Sequence, residues 1–179
     1  AGSSPLSTGS TPSNVQKTQL RMIVRSTEQR TFEQLKTQIL DKLAKSDSLK
    51  RLNAVVDVQV TNDGLRIELV ESGAGDIYFP LGSAKMKSAT MLALQLIGPE
   101  LAALQHPVVL EGHTDGAKFG SDGGYGNWEL SADRANAARR VLETVGVTGG
   151  RIIEVRGLAN THLRVPDEPL SPANRRISI

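Results

Sequence analysis

The chain contains no cysteine. That excludes disulfides, thiolate metal sites and a cysteine nucleophile. Aromatic residues make up only 3% of its 179 positions, so a core has to be built from Val, Ile, Leu, Ala and Met. Long apolar runs are missing too. The longest, Met91–Ile97, is interrupted by Gln95 and falls far short of the ~20 residues of a membrane span. The start lacks the basic end and apolar stretch of a cleavable leader. Net charge is +2, and no basic face interleaved with stacking aromatics is visible, so no nucleic-acid partner is expected. The charge is unevenly spread. Residues 1–53 carry nine Lys or Arg against four acids, and residues 54–179 carry twelve against fifteen.

No internal repeat is visible. Residues 1–14, rich in Ser, Thr, Gly and Pro, have little to bury and read as a flexible tail. Residues 15–25 are mixed and resist assignment. Thr31 with Gln34 fits a capping box, and Phe32, Leu35, Ile39 and Leu43 follow at helical spacing, so a helix is expected over about 31–46. Its stripe packs on its own domain or meets a partner; self-packing is favoured. Val56, Val58 and Val60 alternate, Asn62-Asp63-Gly64 follows, and Leu65, Ile67 and Leu69 alternate again. That pattern predicts a β-hairpin. A second helix is expected over about 83–105, kinked or broken near Gly98 because Pro99 has no N–H to donate. Residues 108–111 read as a buried strand. A third helix starts at Asn127 or Ser131 and stops at Gly146. Residues 151–156 and 175–179 read as strands, separated by a long loop with three prolines. From Leu65 onward the order is β-α-β-α-β-loop-β, which predicts one sheet covered by helices on one face.

The densest chemistry lies between Glu111 and Arg140. His113 and Asp115, with His162 far away in a loop, could hold zinc, but nothing brings them together, and a strand-end His making a hydrogen bond is preferred. Ser131 has no nucleophile elbow around it and reads as a helix cap rather than a nucleophile. The glycine-rich stretch 120–126 precedes a helix N-terminus but lacks phosphate-loop spacing. A fourth option is a clamp. Asp115 would take an amine while Arg134, in the first turns of the third helix, forks onto a carboxylate, with Arg175 and Arg176 entering from the last strand. An internal Asp–Arg salt bridge explains the same spacing equally well.

Three stretches in order, Gly112-His113-Thr114-Asp115, then Asn127-x-x-Leu130-Ser131-x-x-Arg134-Ala135, then Asn174-Arg175-Arg176, resemble the OmpA-like peptidoglycan-binding domains. The stretches "FPLGSA", "GYGNWELSADRANAARR" and "PANRRISI" are most similar to the flagellar motor stator (MotB) branch of that family. The resemblance implies an α+β (α/β) two-layer sandwich: a mixed four-stranded sheet with helices on one face, plus an N-terminal linker helix. It divides the chain into a tail at 1–26, a linker helix at 27–53 and the OmpA-like domain at 54–179. It implies no enzyme activity and no cofactor. It implies a ligand, the diaminopimelate of the peptidoglycan stem peptide, gripped mainly by Asp115 and Arg134. Thr114, Asn127, Leu130 and Ser131 would shape the pocket, with Arg175 or Arg176 at its rim. The whole protein would be a single-pass inner-membrane protein with this part in the periplasm. It would work as a homodimer with MotA and meet a flagellar basal-body ring protein. A general wall-anchoring domain of an outer-membrane protein or lipoprotein is the alternative.

Overall fold

A computed structural model describes residues 13–51, 54–73, 77–120, 124–148 and 150–179. Most of the expected tail, residues 1–12, lies outside the described residues. The first helix, α1, spans Asn14–Ala44. It therefore starts far ahead of Thr31. Its cap is Ser13: the Gln16 N–H donates to Ser13 Oγ, and the Ser13 N–H donates to Gln16 Oε1 at 2.8 Å. Thr31 is no cap; its hydroxyl donates back to the Thr27 carbonyl at 3.1 Å. The early turns escaped periodicity because they bury nothing. Val15, Leu20, Met22 and Ile23 are each more than 60% exposed. The stripe at Leu35 and Ile39 does pack on the domain's own core. A short helix, α2 (Asp47–Arg51), follows.

Strands β1 (Val55–Thr61) and β2 (Gly64–Val70) form the expected hairpin, in register along their whole length. Gly64 takes the positive φ (134°) that closes its turn. Helix α3 (Ser88–Ala103) starts five residues later than expected. The segment before it is held by other bonds: the Lys87 N–H reaches the Tyr78 carbonyl at 3.0 Å, and the Thr90 hydroxyl donates to the same carbonyl. Pro99 does not break α3, which runs through it. Ile97, Gly98 and Leu101 are buried around it, and that burial offsets the lost hydrogen bond. Strand β3 (Val108–His113), helix α4 (Asn127–Thr144), strand β4 (Ile152–Gly157), a 3-10 turn (Pro172–Asn174) and strand β5 (Arg176–Ser178) complete the chain.

The sheet has five strands, in the order β1-β2-β5-β3-β4. This corrects the expected four. The outer strand of the hairpin is a full member, because β1 pairs with β2 from Val55–Val70 to Thr61–Gly64. The sheet is mixed as expected: β3 and β4 run parallel, and the other pairs are antiparallel. The last strand lies in the middle. Ser178 stands between Glu68 and Glu111, and Arg176 between Val70 and His113. One core joins Leu35 and Ile39 of α1, Ala93, Leu94 and Ile97 of α3, and Ala138 and Leu142 of α4 to Ile67, Leu69, Leu110 and Ile177 of the sheet. The helices thus cover one face. Among the described residues, no helix is long and apolar enough to cross a membrane.

Candidate functional site

The site lies where β3 ends and α4 begins. Two glycines let these backbones touch. A Cβ on Gly112 would stand 1.9 Å from the Ser131 carbonyl oxygen, and one on Gly157 would stand 2.6 Å from the Ala132 nitrogen. The second turn of α4 is therefore pressed against the ends of β3 and β4. The Glu129 carboxylate accepts from the Gly126 N–H at 2.9 Å, which holds that carboxyl below its ordinary range. Ser131 is not the cap. It sits inside α4, where its hydroxyl donates to the Trp128 carbonyl and accepts from the Ala159 N–H, both at 3.0 Å. The Ala159 carbonyl in turn takes the Thr114 N–H at 2.9 Å. Ala159 carries a positive φ of 47°, so this joint between the loop after β4, β3 and α4 is tightly specified.

Asp115 is buried, 8% exposed. Its Oδ2 accepts from Arg175 Nη1 at 2.9 Å, and its Oδ1 accepts from the Ala117 N–H at 3.1 Å. Asn127 closes the same turn by donating from Nδ2 to the Ala117 carbonyl at 2.8 Å. The Gly116 N–H reaches the Pro169 carbonyl at 2.7 Å. Thr114 and Leu130 are buried behind this turn. Arg134, 3% exposed, takes a different set of partners. Its Nε donates to the Ser83 carbonyl at 2.9 Å and its Nη2 to the Pro80 carbonyl at 3.2 Å, and its guanidinium lies 5.0 Å from the centre of the Phe79 ring. The two arginines of the last strand part company. Arg175 goes to Asp115. Arg176 is buried beside Glu68, donating from Nε at 3.0 Å, and also reaches the Asn174 and His162 carbonyls. Ser178 and Arg164 share that Glu68 carboxylate. Arg176 thus belongs to an ion cluster with Glu68 and Arg164, separate from the Arg175–Asp115 pair.

His113 is 1% exposed, and neither ring nitrogen has a hydrogen-bond partner among the described residues. Its Nε2 lies 3.7 Å from Glu111 Oε2, too far for a hydrogen bond. The expected strand-end hydrogen bonder is instead a neutral buried ring, since burial pushes its pKa below 6.5. His162 is exposed, and its ring meets the Thr161 hydroxyl. Among the described residues, no group of three or more His, Asp or Glu could hold a metal. Ser131 faces a backbone N–H and a carbonyl rather than a base, so a nucleophilic role has no geometry behind it.

Two residues to which the sequence assigns no role prove structural. One is Glu71, 4% exposed, whose carboxylate accepts from the N–H groups of Ile77, Tyr78 and Phe79 at 2.7, 2.9 and 3.1 Å. The other is Asn174. Its Oδ1 takes the Val165 N–H, and its Nδ2 donates to the Glu168 and Pro169 carbonyls, folding the loop onto the Asp115 turn. Its place beside Arg175 and Arg176 was the only signal. Part of the glycine-rich loop, residues 121–123, lies outside the described residues. Its flanks are held by specific contacts. Phe119 lies against Gly82, where a Cβ would come within 2.4 Å of the ring, and Tyr125 meets Phe119 edge-on and donates to Asp133 at 2.7 Å. A cavity of about 570 Å³ is elsewhere. It lies between α1 and the opposite end of the sheet, lined by Phe32, Leu35, Ile67, Leu104 and His106 among others.

Comparison with known proteins fits this architecture. The model of the OmpA family matches residues 78–176, more than half of the chain. Motility protein B of Escherichia coli K12 is 39% identical over 143 residues, covering 78% of this chain and 46% of that protein. The chain thus spans about half the length of this curated relative. Two solved structures share the fold. A MotB-like protein from Desulfovibrio vulgaris superposes with a TM-score of 0.68 at 16% identity, over 89% of this chain and 96% of that one. The periplasmic domain of Helicobacter pylori MotB gives 0.57 at 20% identity, over 68% and 84%. The chain belongs to the OmpA family and is a homologue of the motility protein MotB.

Proposed function

We propose that this domain is a non-enzymatic anchor that holds a flagellar motor stator to peptidoglycan by gripping the side-chain end of diaminopimelate. The observation that carries this reading is a buried carboxylate and two arginines, each preset on its own element. Asp115 at the end of β3 is oriented by Arg175 and the Ala117 N–H, and Arg134 on α4 is oriented by two carbonyls and an aromatic face. Each Asp115 oxygen has one of these partners and has lone pairs to spare, so it can still accept an ammonium group. Arg134 and Arg175 supply planar donors for the neighbouring carboxylate. The N-terminal turns of α4 add partial positive charge on the same side. Thr114, Asn127, Leu130 and Ser131 act by shaping this grip.

In the whole protein this domain lies in the periplasm, carried by a single inner-membrane helix, and works as a dimer with MotA. The ring of the basal body is a further partner. The similarity to motility protein B supports this assignment over a general wall anchor of the outer membrane.

The test is a pull-down of the full chain on isolated sacculi. The parent is expected to sediment with them, and Asp115→Asn and Arg134→Ala are expected to remain in solution while keeping a cooperative melt. Amidation of the diaminopimelate carboxylate should also abolish sedimentation. Undiminished sedimentation of both variants would overturn the proposal.

A further inference from the structure

We infer that Glu71 is a positioning residue that sets both arginines of the clamp at once. This inference rests on the proposed function above. Glu71 lies immediately after β2 and touches each half of the site by a different route. Its backbone N–H donates to the Arg175 carbonyl at 3.0 Å. That bond holds the residue whose side chain pairs with Asp115. Its carboxylate, meanwhile, gathers the three successive N–H groups of Ile77, Tyr78 and Phe79. Those bonds fix the segment that presents the Phe79 ring and the Pro80 and Ser83 carbonyls to Arg134. The segment is anchored at its other side by Tyr78, whose hydroxyl donates to the Val55 carbonyl at 2.7 Å and whose carbonyl accepts from Thr90 and Lys87.

The chemistry demands an acid at this position. Three converging N–H donors need an acceptor with two oxygens, and a carboxylate supplies about four lone-pair sites with no proton to oppose them. An amide of the same shape keeps one oxygen and turns an NH2 toward a backbone N–H. In Glu71→Gln one of the three bonds is therefore replaced by a repulsion, and Ile77–Phe79 is released. The fold has other ties to this segment and persists. Arg134 loses part of what directs it, because the Phe79 ring and the Pro80 and Ser83 carbonyls move with the segment. Preorganised donors lose affinity when the shell behind them loosens.

The experiment compares the parent chain, Glu71→Gln and Leu43→Ala, a change on the remote side of α1. Each is titrated calorimetrically with a diaminopimelate-containing disaccharide-peptide, and the Arg134 Nε–H resonance is followed by NMR, assigned by its loss in Arg134→Lys. Glu71→Gln is expected to bind about tenfold more weakly and to shift or broaden the Arg134 signal, with an intact far-UV spectrum. Leu43→Ala is expected to melt earlier but bind as the parent does, which separates positioning from plain loss of stability. Parent-like affinity in Glu71→Gln would overturn the inference. If the parent itself binds no fragment, the anchor reading fails, and the resonance still decides the positioning role: an unmoved Arg134 signal in Glu71→Gln refutes it.

Discussion

The two longest helices are attached to the sheet in opposite ways. In α1, 31 residues long, only Leu35 and Ile39 are buried. In α4, 18 residues long, seven are buried, among them Ser131, Arg134 and three alanines. α1 is held mainly by apolar side chains along one stripe, Phe32 to Leu43, with one ion pair from Lys42 to Glu100, and leaves a cavity beside it. α4 is held by backbone contact at Gly112 and Gly157 and by polar bonds from Ser131 and Arg134. A helix held by a few large side chains can shift without unmaking anything specific. One seated on backbone fixes the direction of every side chain it carries. Arg134, one of the two main contacts proposed for the ligand, sits on the second kind.

Breaking the tighter contact should have the largest effect. Gly112→Ala puts a methyl group 1.9 Å from the Ser131 carbonyl oxygen, and neither backbone can give way cheaply. A loss of about 3 kcal/mol or more is expected in chemical denaturation, together with loss of sacculus binding. Next comes the looser contact. Ile39→Ala, at a side chain 1% exposed, should cost about 2–4 kcal/mol in the same assay. Binding of the folded fraction should not change. Leu20→Gln, on the exposed part of α1, should stay within about 0.5 kcal/mol of the parent. If Ile39→Ala weakened binding as much as stability, the distinction between the two helices would fail.

A pH-dependent effect concerns His113, next to Thr114 and Asp115. Its folded pKa lies below 6.5, its ordinary value, because it is buried. Below that pH the unfolded chain binds the proton more readily than the folded one. The stability from a neutral His113 is therefore complete above pH 6.5 and is lost as pH falls toward the folded pKa. The slope for this one group is at most about 1.4 kcal/mol per pH unit. Urea titrations of the parent should show declining stability between pH 7 and 5, and His113→Leu should flatten that decline. An equal slope in both would show that His113 does not titrate differently on folding.

What could be read from the residues follows their physical range. The hairpin was legible because Val56–Leu69 alternates around an Asn-Asp-Gly turn, and both signals are local. The burial of α1 was legible from Leu35 and Ile39 for the same reason. Its first four turns were not, since Val15–Arg30 carries no stripe and depends on a cap at Ser13. Ser131 reads as a cap because a Ser before a helical run usually is one, but Gly126 with Glu129 performs that task one turn earlier. At the site, Asp115, Arg134 and Arg175 could be named from their spacing. Which arginine meets the aspartate could not. Arg175 and Arg176 are neighbours on an extended chain, so they point to opposite sides, and one residue of register decides which reaches Asp115.

The sequence by itself determined the hairpin, the main helices and strands and their order, the family and the residues that carry charge at the strand ends, because period, turn chemistry and motif spacing are written along the chain. Tertiary structure alone decided that the outer hairpin strand joins a five-stranded sheet and that β5 lies at its middle. It alone set Arg175 against Asp115 and placed Glu71 behind both arginines. Each of these depends on hydrogen bonds between residues far apart in the chain, whose partners no local pattern specifies.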